Sequence, residues 1–352
     1  MVGQGLAGSC LALRLLAQGK RVIVFDEPHQ NRSSAIAAGL FNPITGKLMT
    51  RTWMAEKIFP ELHQFYQNAE QQLGQKFFYP QPLYRPFISV EEQNSWMGKS
   101  SDPSMSRYIE AVFSTSTFGH QVHDPFGGIL LKHCGYLDVL QFMLSVRHHL
   151  TATQSIALER FDEQLLEIGN YGVKYNDMEA DKIILCNGMG ILRSSRFTGV
   201  PVRLLKGETL TVKIDQVPEL IYNRGVYIVP RVEKNFYRVG ATYETKNLSE
   251  ETTTAGRMEL DEKLTDLIKL PYKVISQDWG FRPTSPDRRP ILGHLPDSKN
   301  VVIFNGLGTK GVSLAPYFSA QLSNWLLGFG EIQPEVNIGR FKSLSSKSSE
   351  VV

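Results

Sequence analysis

Apolar and polar positions along the chain alternate between two periods, and their order predicts a mixed α/β protein. The run Ser9 to Gln18 has helical spacing, Gly19 stops it, and Arg21 to Phe25 reads as a strand ending at Asp26. Residues 53–75 are helical in pattern, with Trp53, Ile58, Phe59, Leu62 and Phe65 near one face and Pro60 as an interruption. Residues 77–131 carry many aromatics, prolines and glycines with short extended runs such as Arg107 to Ser114, which suits a β-rich insertion. Helical spacing returns from Tyr136 to His149, with Leu137, Leu140, Phe142 and Leu144 as its expected core. Strand-like runs follow at Gln164 to Ile168, Gly172 to Tyr175 and Asp181 to Gly188. More lie at Gly207 to Ile214, Gly225 to Val229 and Tyr237 to Thr242. A helix over Glu250 to Leu267, a buried strand over Val301 to Phe304 and a closing helix through Leu327 complete the pattern.

The expected fold class is α/β with an α+β insertion. A discontinuous Rossmann-like nucleotide domain (1–55, 133–200 and 274–340) is interleaved with a β-rich substrate domain (56–132 and 201–273). Residues 341–352, rich in serine, read as a disordered tail. Ligand chemistry is expected where the domains meet.

Composition changes this picture little. A hydrophobic content of 42% and a charged content of 21% are ordinary for a globular chain, and a net charge of +3 is too mild to argue for nucleic acid. Cys10, Cys134 and Cys186 are far apart and form neither a metal-ligand spacing nor a disulfide framework, and the histidines lack ligand spacing. No metal is therefore expected. No apolar run approaches the ~18 residues of a membrane span, so the expectation is a cytoplasmic protein without one.

The first residues carry the strongest chemical signal. Gly3-Gln4-Gly5-Leu6-Ala7-Gly8 fits the dinucleotide fingerprint G-x-G-x-x-G, opens a helix, and is followed 18 positions later by Asp26. That order supplies a tight turn, a helix N-terminus for a pyrophosphate and an acid for ribose hydroxyls. The fingerprint expects a buried strand before it, yet only Met1 and Val2 precede Gly3. The expectation is that the native chain starts upstream, with a strand rich in Val and Ile; the alternative is a sheet built without that strand. Small residues crowd Ser33 to Gly46, as a backbone needs when it runs close against a ligand.

Several motifs in a fixed order extend this signal along nearly the whole chain. They are Gly3 to Gly8 with Asp26, Ala38 to Pro43, Ala180 to Gly188, Leu205-Lys206-Gly207-Glu208 and Gly225 to Arg231. The series continues with Val239-Gly240-Ala241-Thr242-Tyr243, Gly280 to Asp287 and Gly306 to Gly311. In that order they resemble the D-amino-acid-oxidase-type flavoprotein family, to which glycine oxidase, sarcosine oxidase and the MnmC flavin domain belong.

The resemblance implies FAD rather than NAD. The FAD-contacting positions then read Gly3, Gly5, Leu6, Ala7, Gly8, Asp26, Glu27, Ser34, Ala38, Gly39, Asn42, Phe161, Asn187, Gly188, Gly308, Thr309, Lys310, Gly311 and Val312. The late loop Gly306 to Gly311 opens a helix whose positive end, in this family, faces the flavin edge that becomes negative on reduction. The resemblance also puts Arg282 on the substrate carboxylate, with Tyr227 as a second donor, and Lys310 and Arg51 as cations beside the flavin. Trp279-Gly280-Phe281 holds no cysteine and the small-residue loop no histidine where covalent members attach flavin, so FAD is expected to be non-covalent.

The function implied is oxidation of the C–N bond of an amino acid or N-substituted glycine, with hydride passing to flavin N5. The partner is then a small amine or amino acid rather than nucleic acid, and the oligomeric state is open. Two competing readings are an MnmC-like enzyme whose amine sits on a tRNA wobble base, and a flavin-binding subunit without turnover.

Overall fold

The computed structural model describes residues 1–27, 33–46, 49–296 and 298–341. The tail expected to be disordered lies, except for Phe341, outside the described residues. One layer is a small, mostly parallel sheet. Val24–Phe25 pairs with Ile156–Ala157, Ile183–Leu185 pairs with Val301 to Ile303, and Ser298–Asn305 pairs antiparallel with Ile291–Leu295. Val2 makes parallel bridges to both Phe25 and Leu185 and so joins the two halves. Its N–H donates to the Ile184 carbonyl at 2.9 Å and its carbonyl accepts from Cys186 N at 2.8 Å. Met1 to Gly3 thus hold a central sheet position. The strand expected over Arg21 to Phe25 shortens to Val24–Phe25, because its neighbours offer only that length to pair with.

Two helices, Leu6–Ala17 and Gly311–Leu326, lie side by side on this sheet, and Ala55–Leu73 packs along the second. Leu6 through Leu13 are all buried, which is why the first helix is built from small and apolar residues. The Ala55–Leu73 helix runs through Pro60 instead of being interrupted. Pro60 faces solvent, while Ile58, Phe59, Leu62, Phe65 and Tyr66 are buried; that packing outweighs one missing backbone bond.

The helix expected from Tyr136 forms over Val139–Ala152, but two of its expected core residues, Leu140 and Leu144, are exposed. The buried stripe is Val139, Phe142, Met143, Val146 and Leu150, and the two leucines lie off that face. The strand expected over Gln164 to Ile168 is a 3₁₀ turn, Glu163–Leu165, followed by Leu166–Ile168.

The second layer is an eight-stranded sheet. Its order is Tyr272–Thr284, Arg203–Ile214, Phe236–Gly240, Val226–Pro230, Ile221–Arg224, Leu83–Pro86, Gly128–Leu131 and Ile109–Phe113. One face is apolar: Leu210, Val212, Tyr222, Ile228 and Val239 form a cluster with Leu260, Leu264 and Leu267 of the Thr254–Leu267 helix. Alternation along the strands sends Gly207, Thr209, Tyr227, Gly240 and Arg282 to the opposite face. The strand Tyr272–Thr284 pairs with Arg203–Ile214 along its length, and Thr284 then bridges Leu307. One strand therefore connects the large sheet to the late glycine loop.

Candidate active site

The two glycine loops meet. Gly3 has φ +95°, and a Cβ there would lie 2.7 Å from the Cys186 carbonyl oxygen; a Cβ on Gly8 would overlap the Gly3 carbonyl oxygen. Both positions therefore admit only glycine. Gly5 caps the first helix without a side-chain hydrogen bond, Lys310 caps the last in the same way, and neither helix has an acid in its first turn. A Cβ on Gly311 would touch Leu6 Cδ1 at 3.2 Å, so the two N-termini adjoin. Two helix ends with positive partial charge and no acid of their own suit a pyrophosphate and an electron-rich ring.

Side chains expected around these ends divide into two groups. Ser34 Oγ accepts from Leu6 N at 3.3 Å, which ties the small-residue loop to the fingerprint. Ala38 is half-buried; Gly39, at φ +75°, abuts the Leu137 carbonyl, and Asn42 Oδ1 accepts from Ile44 N at 2.9 Å. Lys310 Nζ donates to Thr45 Oγ1 at 3.3 Å and Thr52 Oγ1 at 3.4 Å. Burial, and secondarily the charge of Arg288, lower its pKa. Gly188, at φ +54°, accepts from Asn305 Nδ2 at 2.9 Å, and the adjacent Asn187 Oδ1 is buried without a partner among the described residues. Gly308, at φ +56°, lies against Thr284, Thr309 is exposed, and the buried Val312 accepts from Tyr66 Oη at 3.0 Å. The glycine cradle, the uncapped ends and the orphaned Asn187 oxygen fit an FAD-sized dinucleotide.

The second group is used internally. Asp26 is 6% exposed; its Oδ1 accepts from Gln4 N at 2.9 Å and its Oδ2 from Arg147 Nη2 at 3.2 Å. It fastens the fingerprint turn to the Val139–Ala152 helix, whereas its neighbour Glu27 is exposed. Phe161 stacks on Tyr175 at 4.6 Å and meets Phe25 edge-on at 5.6 Å, inside an apolar cluster. Arg51, on the exposed strand Thr50–Arg51, turns its guanidinium to Glu56 at 3.7 Å.

Arg282 and Tyr227 share the face of the large sheet opposite the Thr254–Leu267 helix. Arg282 Nη1 donates to the Thr242 carbonyl at 3.3 Å, and its guanidinium lies 5.2 Å from the Tyr243 ring centroid. Ion-pair partners for Arg282 are absent among the described residues, so its charge is uncompensated there. Burial pushes the Tyr227 phenol up to about 12, against a smaller opposing pull from Arg282. Two strand glycines make room for this pair. A Cβ on Gly207 would overlap the Arg282 guanidinium, and one on Gly240 would lie 2.6 Å from Tyr227 Oη. Gly207, Gly240, Thr242 and Tyr243 belong to motifs noticed in the sequence but given no role there. Glycine inside a strand was the available signal.

The same strand brings the loops to the clamp. Ser33 Oγ donates to the Phe281 carbonyl, and a Cβ on Gly280 would overlap Ile36. The three cysteines are buried, with burial pushing Cys10 and Cys186 up to about 12 and Cys134 upward as well. Among the described residues no cluster of His, Cys, Asp and Glu has the makings of a metal site, and no helix is long and apolar enough to cross a membrane.

Comparison with known proteins identifies relatives of this chain. The bifunctional protein ThiO/ThiG of Nostoc sp. is 26% identical over 93% of the chain and 52% of its own length. Glycine oxidase of Pseudomonas putida is 25% identical over 93% of both. Iminodiacetate oxidase from Chelativorans sp. shares the fold with a TM-score of 0.77, at 19% identity over 95% of this chain and 96% of that one. The chain spans about half the length of the ThiO/ThiG relatives it matches. The family described as "DAO: FAD dependent oxidoreductase" matches residues 1–325, and with the paired glycine loops and the fold this chain belongs to that family, whose cofactor is FAD.

Proposed function

We propose that this chain oxidises the C–N bond of a small amino acid or N-substituted glycine, and that Arg282 and Tyr227 hold the substrate carboxylate. The observation that carries the reading is the uncompensated Arg282 guanidinium beside a protonated phenol, on a sheet face cleared by Gly207 and Gly240. A planar guanidinium grips a carboxylate bidentately, and the phenol adds one directional donor. Their work is orientation: the Cα–H is aimed and held, which needs no strong base. FAD, when bound, supplies the hydride acceptor.

For FAD, the reading assigns Gly3 to Gly8 to the pyrophosphate and the late loop through Val312 to the flavin, with Ser34, Ala38, Gly39, Asn42, Asn187 and Gly188 along its length. Lys310 adds a full charge where the last helix begins, and Arg51 joins it only by leaving Glu56. Asp26, at the end of the first strand and tied to the fingerprint turn, is assigned to the ribose, with Glu27 next to it in the chain. The domain division given above is proposed with one change. The Ala55–Leu73 helix goes with the FAD-binding domain, because it packs on the Gly311–Leu326 helix.

The test is anaerobic mixing of the FAD-loaded protein with a panel of amino acids and N-methyl amino acids. Bleaching of the visible flavin bands by members of the panel is expected; a panel that bleaches nothing would sink the proposal. The tRNA reading is tested separately by tRNA binding at two salt concentrations, where tight, salt-sensitive binding would favour it.

A further inference from the structure

Lys206 is the most deeply buried cation among the described residues, at 1% exposure, and the clamp does not use it. Its Nζ lies 3.5 Å from Glu208 Oε1 and donates to Ser249 Oγ at 2.9 Å. Glu208, also buried, accepts from Thr253 N at 2.9 Å and Thr253 Oγ1 at 2.8 Å, and from Gln277 Nε2. The side chains of residues 206 and 208 thus hold both ends of the segment Ser249 to Thr253. Their backbones hold the start of the longer stretch Thr242 to Thr253. Lys206 and Glu244 exchange two bonds of 2.9 and 3.0 Å; Thr242 N donates to the Glu208 carbonyl at 3.1 Å, and Glu208 N donates to Thr242 Oγ1 at 2.8 Å.

Thr242 and Tyr243 are the residues that touch Arg282. Between Lys206 and Glu208 sits Gly207, whose missing side chain leaves the guanidinium its place on the opposite face. The triplet is therefore a single device: the glycine clears the site, and its two neighbours tie down the strap that borders it.

We propose that Lys206 and Glu208 are positioning residues, and that their buried ion pair sets the seating of Thr242 to Thr253 and through it the aim of Arg282. This rests on the reading that Arg282 holds the substrate carboxylate. A buried ion pair contributes little net stability over apolar residues of similar volume, whereas breaking one partner leaves an uncompensated charge. Removing both charges together should therefore spare the fold while releasing the strap.

The experiment compares FAD-loaded wild type, Glu208→Gln, Lys206→Met, the Lys206→Met/Glu208→Gln double variant and Arg282→Met. The readouts are FAD content, melting temperature, KM and kcat, and the Kd of butyrate, an amine-free carboxylate, from its shift of the flavin spectrum. A misplaced clamp weakens a charge-assisted contact by about tenfold or more. The double variant is expected to keep FAD and a near-wild-type melting temperature while Kd and KM rise about tenfold and kcat stays within about twofold. A double variant with wild-type Kd overturns the proposal, and so does one that loses the fold, which assigns the pair to stability alone. Should the single variants fail to fold, the double variant still decides. Butyrate binding unchanged in Arg282→Met refutes the carboxylate clamp itself, a result distinguishable from any behaviour of the Lys206 and Glu208 variants.

Discussion

Gly240→Ala tests the clamp at its narrowest point. A Cβ at position 240 would lie 2.6 Å from Tyr227 Oη, 2.8 Å from Thr209 Cγ2 and 3.0 Å from Tyr227 Cζ. Ordinary van der Waals contact begins near 3.4 Å, so the phenol must retreat by about 0.8 Å. A hydrogen bond of about 2.8 Å to a bound carboxylate then stretches to about 3.6 Å, beyond useful length. Losing one bond to a charged group costs about 1.5–3 kcal/mol, which is roughly 10- to 100-fold in kcat/KM. Gly240 is not at positive φ, so alanine meets no left-handed backbone strain there. Steady-state kinetics with the best amino acid from the panel measure it, beside Tyr227→Phe and the double variant. Because Phe lacks the oxygen that clashes, the two changes should be strongly non-additive. An unchanged kcat/KM in Gly240→Ala, or a full additional loss in the Tyr227→Phe background, would refute the reasoning.

Two further outcomes follow from other parts of the structure. Gly8→Ala drives a Cβ into the Gly3 carbonyl, which the sheet holds in place, so FAD content should collapse and stability fall by roughly 2–3 kcal/mol, as FAD titration and thermal melts will register. The Cys10 and Cys186 thiols, pushed up to about 12 by burial, remain protonated in the folded chain while the unfolded chain ionises near pH 8.5. The folded state then holds more protons above about pH 9, so this contribution to stability is intact at neutral pH and is lost between about pH 9 and 12. Urea titrations across that range should show the decline, and rapid labelling of either thiol in the native protein at pH 8 would contradict it.

Much of the fold was legible because its signals are local. The fingerprint, the late glycine loop and the strand runs 207–214, 226–229 and 301–304 each announce themselves within a few residues. What was not legible depends on distant partners. The tie from Asp26 to Arg147, on another helix, leaves no local trace in the sequence. Leu140 and Leu144 have helical spacing, but only the packed structure decides which stripe is buried. Arg282 and Tyr227 enter as candidates through their motifs, whereas Gly207 and Gly240 gain meaning only when the register sets them beneath those two side chains. Val2 belongs to a strand too short for any periodicity, and its place shows only in the bridges it makes on both sides.

Arg282 is proposed to hold a substrate carboxylate for oxidation by the bound FAD. The most direct measurement is the anaerobic rate of flavin bleaching by the best amino acid of the panel, in wild type and Arg282→Met at equal FAD content. Saturable bleaching is expected in wild type, with a loss of about 100-fold or more in the variant, as when a bidentate charged contact is removed. Equal rates in the two proteins would contradict it.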